Sequence, residues 1–287
     1  MIDLHTHTKA SDGEKTPEEL IDLAISKKIK ALSITDHDTI DSLSIAINYS
    51  KGKPITLIPG IELSATVPKG QMHILGLFIN YNDKVFLDKL NYIKNARNLR
   101  NEKFITELNN MGYNITLEDL KLASGGKTIG KPHFAKVFLS KNYIKNKNEM
   151  FDNFFYKPPL NQYKKMTYVP KDVISILKNA GAVVILAHPQ TLKLEGNKLI
   201  EKIMELKNYG LDGLECYHTK QTYEQMQTFN EIAKNLNLLV TKGSDYHGPN
   251  VKPGTELGTG FNNNIVSKDE DIILNNLLNY YNTKIKN

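Results

Sequence analysis

At 287 residues, with 40% hydrophobic and 24% charged side chains, the chain has the composition of a soluble globular protein, large enough for one big domain or a domain carrying an insertion. No apolar run approaches the ~18 residues of a membrane span, no basic stretch leading into an apolar one marks a secretory signal, and a single cysteine, Cys216, excludes an internal disulfide framework and suits a reducing cytoplasm. The net charge of +6 is uneven: residues 81–167 hold 16 Lys/Arg against 8 Asp/Glu and the remainder 21 against 23, so the middle of the chain is either a solvated lysine-rich surface or a grip for an anion.

The first predicted strand is IDLH. Successive strand side chains face opposite sides, so Ile2 and Leu4 point into a core while Asp3, His5 and His7 share the other face, with Asp12 just behind. Thr16 then caps a helix running to about Lys28, with Pro17 at its first position and Glu18 and Glu19 in its first turn. KALSIT is a second strand, residues 39–51 a second helix, ITLIPGIEL a third strand and MHILGLFI a fourth. After residue 82 helix follows helix: residues 86–113 form one long amphipathic stretch, and shorter pieces continue to about residue 160. Strand–helix alternation resumes with a helix at 170–181, the buried strand AVVILAH, helices at 197–210 and 222–237, and the strands GLECYH and LLVTKGSD. The pattern is a βα-repeat fold of α/β class over residues 1–82 and 166–287, split by a basic helical insertion at 83–165.

Six of the eight histidines sit at or just past a strand end. His37 follows LSIT, His188 ends AVVILAH, and Asp245 with His247 repeats the spacing of His5 and His7 after the last strand. His73 stands at the start of MHILG, and Glu62 falls in PGIEL. In α/β barrels the carboxyl ends of the strands converge on one face, where active sites are built. A lone histidine is more readily a core or surface residue, but an ordered set of His5, His7, Asp12, His37, Glu62, His73, His188, Asp245 and His247 points to metal. Nitrogen and oxygen donors without thiolate suit zinc, iron or manganese, and nine donors exceed the needs of one ion, so two or three divalent ions are expected. Asp36 and Asp38 flank His37, either to orient imidazoles or to cap the next helix, with capping favoured for Asp38.

The series HTH, SDG, TDHD, PGIE, MHILG, AHP and GSDYHG resembles the PHP family, named for polymerase and histidinol phosphatase. The resemblance implies a distorted (β/α)7 barrel with a trinuclear metal centre. By the same resemblance, one ion lies on His5, His7 and Asp245 with Glu62 bridging, a second on Glu62, His73 and His188, and a third on Asp12, His37 and His247. Bound ions activate water and neutralise a phosphoryl group, so phosphate ester hydrolysis is the expected reaction, with Glu62, Asp245 and His218 as the catalytic set.

Substrate contacts are sought in the insertion. Arg97 and Arg100 are the only arginines in the chain and lie three apart on a predicted helix; they are either a bidentate phosphate fork or a solvated face. In TIGKPHFAKVF, Pro132 opens a helix whose start, with Lys131 and His133, can receive an anion, although His133 equally suits packing. An RxxR helix, an IGRPH-like turn and a GLEVYH-like strand resemble one PHP subgroup, with Lys131 here where arginine is frequent. That subgroup hydrolyses nucleoside 3′,5′-bisphosphates, and some members remove nucleotides from the 5′ ends of short RNA. In GLECYH, alternation pairs Glu215 with Tyr217 and Cys216 with His218; only one pair is expected to face the metals, and His218 is expected as substrate contact or proton donor. The expected partner is a small phosphorylated nucleotide or short RNA, in the cytoplasm, with no membrane and no obligate protein partner. The competing readings are a histidinol-phosphate phosphatase and a non-catalytic nucleic-acid-binding module.

Overall fold

The computed structural model describes residues 1–125, 128–164 and 166–285. In chain order the elements are β1 (Ile2–Thr6), α1 (Pro17–Ser26), β2 (Ala31–Ile34), α2 (Leu43–Ser50), β3 (Thr56–Ala65), β4 (Met72–Leu77), α3 (Lys84–Asn110), α4 (Leu117–Ser124), α5 (Lys131–Ser140) and α6 (Lys147–Met150). There follow α7 (Pro170–Asn179), β5 (Val183–Leu186), α8 (Gly196–Tyr209), β6 (Gly213–His218), α9 (Tyr223–Asn235), β7 (Leu239–Gly243), the small hairpin β8 (Thr255–Glu256) and β9 (Gly260–Phe261), and α10 (Glu270–Tyr280). Packing divides the chain into two units, residues 1–89 with 167–287 and residues 90–166, the first junction falling inside α3. The expected boundary at residue 165 lies outside the described residues. No helix among the described residues is long and apolar enough to cross a membrane.

The first unit is a seven-stranded mixed sheet in the order β1 to β7, nearly closed into a barrel, as expected of a distorted (β/α)7 fold. Asp245 N donates to His5 O (2.9 Å) and His7 N to Tyr246 O (2.9 Å), which ties the segment after β7 to β1. All neighbouring strands are parallel except that β4 runs antiparallel to both β3 and β5. That reversal explains why His73, at the start of its strand, accompanies residues at the ends of the others: it pairs with Ser64, two residues past Glu62.

Local chemistry sets most of the helix starts. The Thr16 side chain accepts from Glu19 N while Glu19 accepts from Thr16 N, a reciprocal cap with Pro17 next in line. The second helix starts at Leu43, four residues later than the periodicity predicts, because residues 36–42 are committed elsewhere. Ser42 Oγ donates to Asp36 instead of capping, and Asp38, at φ +53°, accepts from Ser64 N (3.0 Å) on β3 rather than capping a helix.

At the core, Ile2, Leu4, Ala31, Leu75, Val183 and Ile185 from four strands pack with Ile273, Leu274 and Leu277 of α10. The inserted unit has its own core around Phe104, Phe134, Phe138 and Phe155. Lys242 is fully buried in β7, with its Nζ donating to Gly258 O (3.1 Å) and to Glu270 Oε1 (2.5 Å) at the start of α10, while Glu270 Oε2 accepts from Ile2 N (3.2 Å). Removing one partner of such a pair strands a buried charge, so Glu270→Ala is expected to cost about 3–5 kcal/mol in thermal or urea unfolding. The Lys242→Met/Glu270→Leu double variant should cost less than Glu270→Ala alone; equal or smaller loss for the single variant would show that the pair is not holding α10 to the barrel.

Candidate metal centre

Seven of the eight histidines and four carboxylates meet at one end of the barrel. At the middle is Glu62, fully buried on β3. Its Oε2 lies 3.2 Å from His5 Nε2, 3.2 Å from His7 Nε2 and 2.9 Å from His37 Nδ1; its Oε1 lies 2.8 Å from His73 Nδ1 and 2.9 Å from His188 Nε2. Asp245 Oδ1 is 3.2 Å from His7 Nε2, 3.4 Å from His247 Nδ1 and 3.5 Å from His5 Nε2. Asp12 Oδ1 is 3.2 Å from His247 Nε2 and 3.7 Å from His7 Nδ1. Three sets of donor atoms are compact enough to hold an ion each: His5, His7, Glu62 and Asp245; His7, Asp12, His37 and His247; and His37, Glu62 and His73.

The hydrogen bonds at the outer ring nitrogens fix which face of each imidazole looks inward. Glu215 Oε1 accepts from His5 Nδ1 (2.9 Å), which leaves the Nε2 lone pair aimed at Glu62. His247 Nδ1 faces the Asp245 carbonyl oxygen (2.8 Å), which can only accept, so its Nε2 lone pair faces Asp12. Thr191 Oγ1 donates to backbone carbonyls and so receives His188 Nδ1–H (3.1 Å). Asp36 accepts from Thr8 N, Thr8 Oγ1 and Ser11 Oγ, each at 2.7 Å, and Ser11 Oγ in turn lies 3.4 Å from His7 Nδ1. Asp36 thus positions His7 through a serine, one of the two roles its place beside His37 allowed.

These inward lone pairs decide whether the site fits metal. His5 Nε2, His7 Nε2 and His37 Nδ1 are buried without a hydrogen bond although each stands 2.9–3.2 Å from Glu62 Oε2, which has none either, and Asp12 Oδ1 is a further such atom, 3.2 Å from His247 Nε2. Acceptors facing acceptors in a dry site repel unless a cation lies between them, and buried polar atoms are otherwise satisfied. The residues fit divalent cations. Electrostatics agrees: burial would raise the Glu62 carboxyl, but His37, His73 and His5 hold it well below the usual carboxylate range. Burial is likewise overcome at Asp245 by Lys252 and His5, and at Asp12 by His37, His247 and His7. Burial opposes a proton on His7, yet Asp245 and Glu62 raise it to about 9, so these carboxylates draw positive charge into the site, as a proton on His7 or as a cation in its place, whereas burial carries His73 down to about 4.

The arrangement requires close backbone approach. A Cβ at Gly243 would collide with the His5 Cβ and the Glu215 carboxylate, so only glycine lets β7 lie this near β1. His188 and Asp245 themselves take positive φ, +29° and +55°, strain that sites of this kind store.

On β6 strict alternation fails. The β6–β7 register slips between Glu215 and Tyr217, so Glu215 and His218 both reach the site although alternation separates them. Glu215 accepts from His5 Nδ1 and, through Oε2, from His188 N (2.7 Å). His218 Nε2 lies 3.3 Å from Asp245 Oδ2, while its Nδ1 receives Lys220 N–H (3.1 Å), which places the ring proton on Nε2. Tyr217 packs with the barrel core instead, and Cys216 is buried, its thiol pushed up by desolvation and by Glu215 into an unreactive range. Lys252, whose Nζ touches Asp245 Oδ2, carries no sequence signal of its own; an acid inside the apolar run GLECYH was the one pointer to Glu215.

In the inserted unit, Arg100 and Lys131 line one cavity of about 260 Å³ together with Lys164, Phe155, Tyr156 and Tyr163. The Lys131 ammonium lies 4.7 Å over the Phe155 ring. Arg97, half-buried, and His133 lie outside that lining. His133 Nδ1 accepts from Gly130 N (2.9 Å), closing the first turn of α5.

The PHP domain family profile matches residues 3–206. Over 261 residues, 90% of this chain and 88% of the relative, the chain is 27% identical to the 5′-3′ exoribonuclease Rnm of Escherichia coli. It is 26% identical over 250 residues, 86% of this chain and 87% of the relative, to the 3′,5′-nucleoside bisphosphate phosphatase of Chromobacterium violaceum. The crystal structure of a Bifidobacterium adolescentis protein assigned as a metal-dependent phosphoesterase matches with a TM-score of 0.78 and 28% identity, covering 96% of this chain and 94% of that one.

Glu215 offers one oxygen to each of two donors, and Glu215→Gln keeps its shape while leaving a single acceptor. The variant should hold metal about 10–100-fold more weakly in competition with a chelator. Unchanged affinity would show that the clamp on His5 and His188 does not tune the site.

Proposed function

The chain belongs to the PHP domain family, and from that premise we propose that it is a metal-dependent phosphoesterase that removes phosphate from small nucleotides such as adenosine 3′,5′-bisphosphate and also acts on the 5′ ends of short RNA. The observation that carries this reading is Glu62, whose two oxygens have five imidazole nitrogens within 2.8–3.2 Å. Two or three ions of manganese, iron or zinc would be held by His5, His7, Asp12, His37, Glu62, His73, His188, Asp245 and His247. Bound there, they supply Lewis acidity toward a phosphoryl group and make water nucleophilic near neutral pH.

The remaining work falls to side chains. Glu62 and Asp245, both held ionised, keep the donor rings at fixed separations, so little reorganisation is needed as charge moves in the transition state. His218 presents a fixed Nε2–H beside Asp245, suited to donating a hydrogen bond to a phosphoryl or leaving oxygen. Lys252 adds positive charge at the same carboxylate. In the inserted unit Arg100, Lys131 and Lys164 would grip a phosphate, with Phe155, Tyr156 and Tyr163 available to a base. Arg97, one turn earlier on the helix, would extend that positive field. Histidinol phosphate carries one phosphate and makes no use of such a cavity, which favours the nucleotide. The two curated relatives, one named for exonucleolytic action on RNA and the other for nucleoside bisphosphates, support the same substrate class.

With manganese, phosphate release should be fastest from adenosine 3′,5′-bisphosphate, measurable from a 5′-phosphorylated RNA trimer and slowest from histidinol phosphate. A higher kcat/KM for histidinol phosphate would overturn the nucleotide reading, and no release from any of the three by metal-loaded protein would overturn the phosphoesterase itself. Arg100→Ala should raise KM for the bisphosphate about tenfold, the scale of one charge-assisted hydrogen bond, and leave KM for an aryl phosphate within about twofold. Equal effects on both substrates would remove Arg100 from the second phosphate.

A further inference from the structure

Beside the cavity assigned to a phosphate, the inserted unit holds a second of about 460 Å³, within the size range of small-molecule sites. Arg100, Tyr163 and Lys164 line both, so the two adjoin across a common wall. Its other walls include Tyr92, Leu99, Lys103 and Met166. Tyr92, Leu99 and Met166 are 54%, 59% and 51% exposed, a gathering of large apolar side chains that a solvated helix face does not need. Among the described residues, no carboxylate lines either cavity, while Arg100, Lys103, Lys131 and Lys164 do.

The cations and rings are interleaved. The Lys103 ammonium stands 5.5 Å over the Tyr163 ring and that of Lys131 4.7 Å over Phe155. The Tyr163 hydroxyl donates to Glu107 (2.6 Å), which fixes the ring between the two cavities. Desolvation, with Arg100 and Lys164 close by, pushes the Lys131 ammonium below its ordinary range, a sign of like charges crowded where an anion would relieve them. A repeating ring and a repeating phosphate are what successive nucleotides of a single strand offer, and stacking platforms set among cations are how proteins hold them.

We propose that the larger cavity binds a nucleotide of a single-stranded RNA, its base against Tyr92, Leu99 and Met166 and its phosphate between Lys103 and Lys164. This rests on the phosphoesterase reading. It names a site that a mononucleotide leaves empty and an RNA end fills.

The test uses the manganese-loaded full chain and its Tyr92→Ala/Lys103→Ala variant, neither residue having a part in holding the bisphosphate. Affinity for a labelled, 5′-phosphorylated RNA trimer with phosphorothioate linkages is read by fluorescence anisotropy, and KM for adenosine 3′,5′-bisphosphate by phosphate release. The variant should bind the trimer about tenfold more weakly and keep the bisphosphate KM within about twofold. Unchanged trimer affinity would overturn the site. So would a concentration-dependent dimer in the wild type that the variant abolishes, since a second copy would then be the occupant. A wild type that binds the trimer through Tyr92 and Lys103 but hydrolyses neither substrate would support this site and sink the phosphoesterase reading alone.

Discussion

A carboxylate with no access to water and five imidazoles within hydrogen-bonding distance is the constraint on which the barrel depends. Glu62 can be ionised at full burial only because positive charge is supplied around it, and the bond from Glu215 to His5 Nδ1 turns the other nitrogen of that ring toward it. Asp245 and Asp12 repeat the problem on either side of His7 and His247. Three buried or half-buried acids among imidazoles resolve that tension together when cations lie between them.

The frame around this cluster is built to keep it open. Glu215 spends both oxygens on ligand segments, one on the His5 ring and one on the His188 backbone. Asp36 organises the loop after β1 through Thr8 and Ser11, and Gln221 joins Glu215 O, Gln190 and His218 N in a single net. His188 and Asp245 pass through backbone conformations that bulky residues avoid, and the surrounding bonds hold them there. The protein trades local backbone comfort for a fixed set of inward donors.

Much of this was legible in the chain itself. Alternation along β1 separates Ile2 and Leu4, which join the core, from His5, which joins the cluster. The same rule failed at β6, where a slip in register lets Glu215 and His218 share a side, and no periodicity rule anticipates a bulge. Asp38 resembled a helix cap but bonds across to Ser64, because the ligand loop delays α2. The hairpin β8–β9 and α10 carry no histidine motif and went unread, yet α10 supplies three side chains to the barrel core. Arg100 and Lys131 are 31 positions apart, and only the packing of α3 against α5 brings them to one cavity, together with Lys164, which no motif marks.

The most direct test of the account is anomalous X-ray diffraction at the manganese, iron and zinc edges from crystals of protein purified without chelator. The account predicts at least two anomalous peaks in contact with Glu62, one on each of its oxygens. A well-ordered cluster with water in those positions, and no anomalous scatterer beside Glu62, would contradict it.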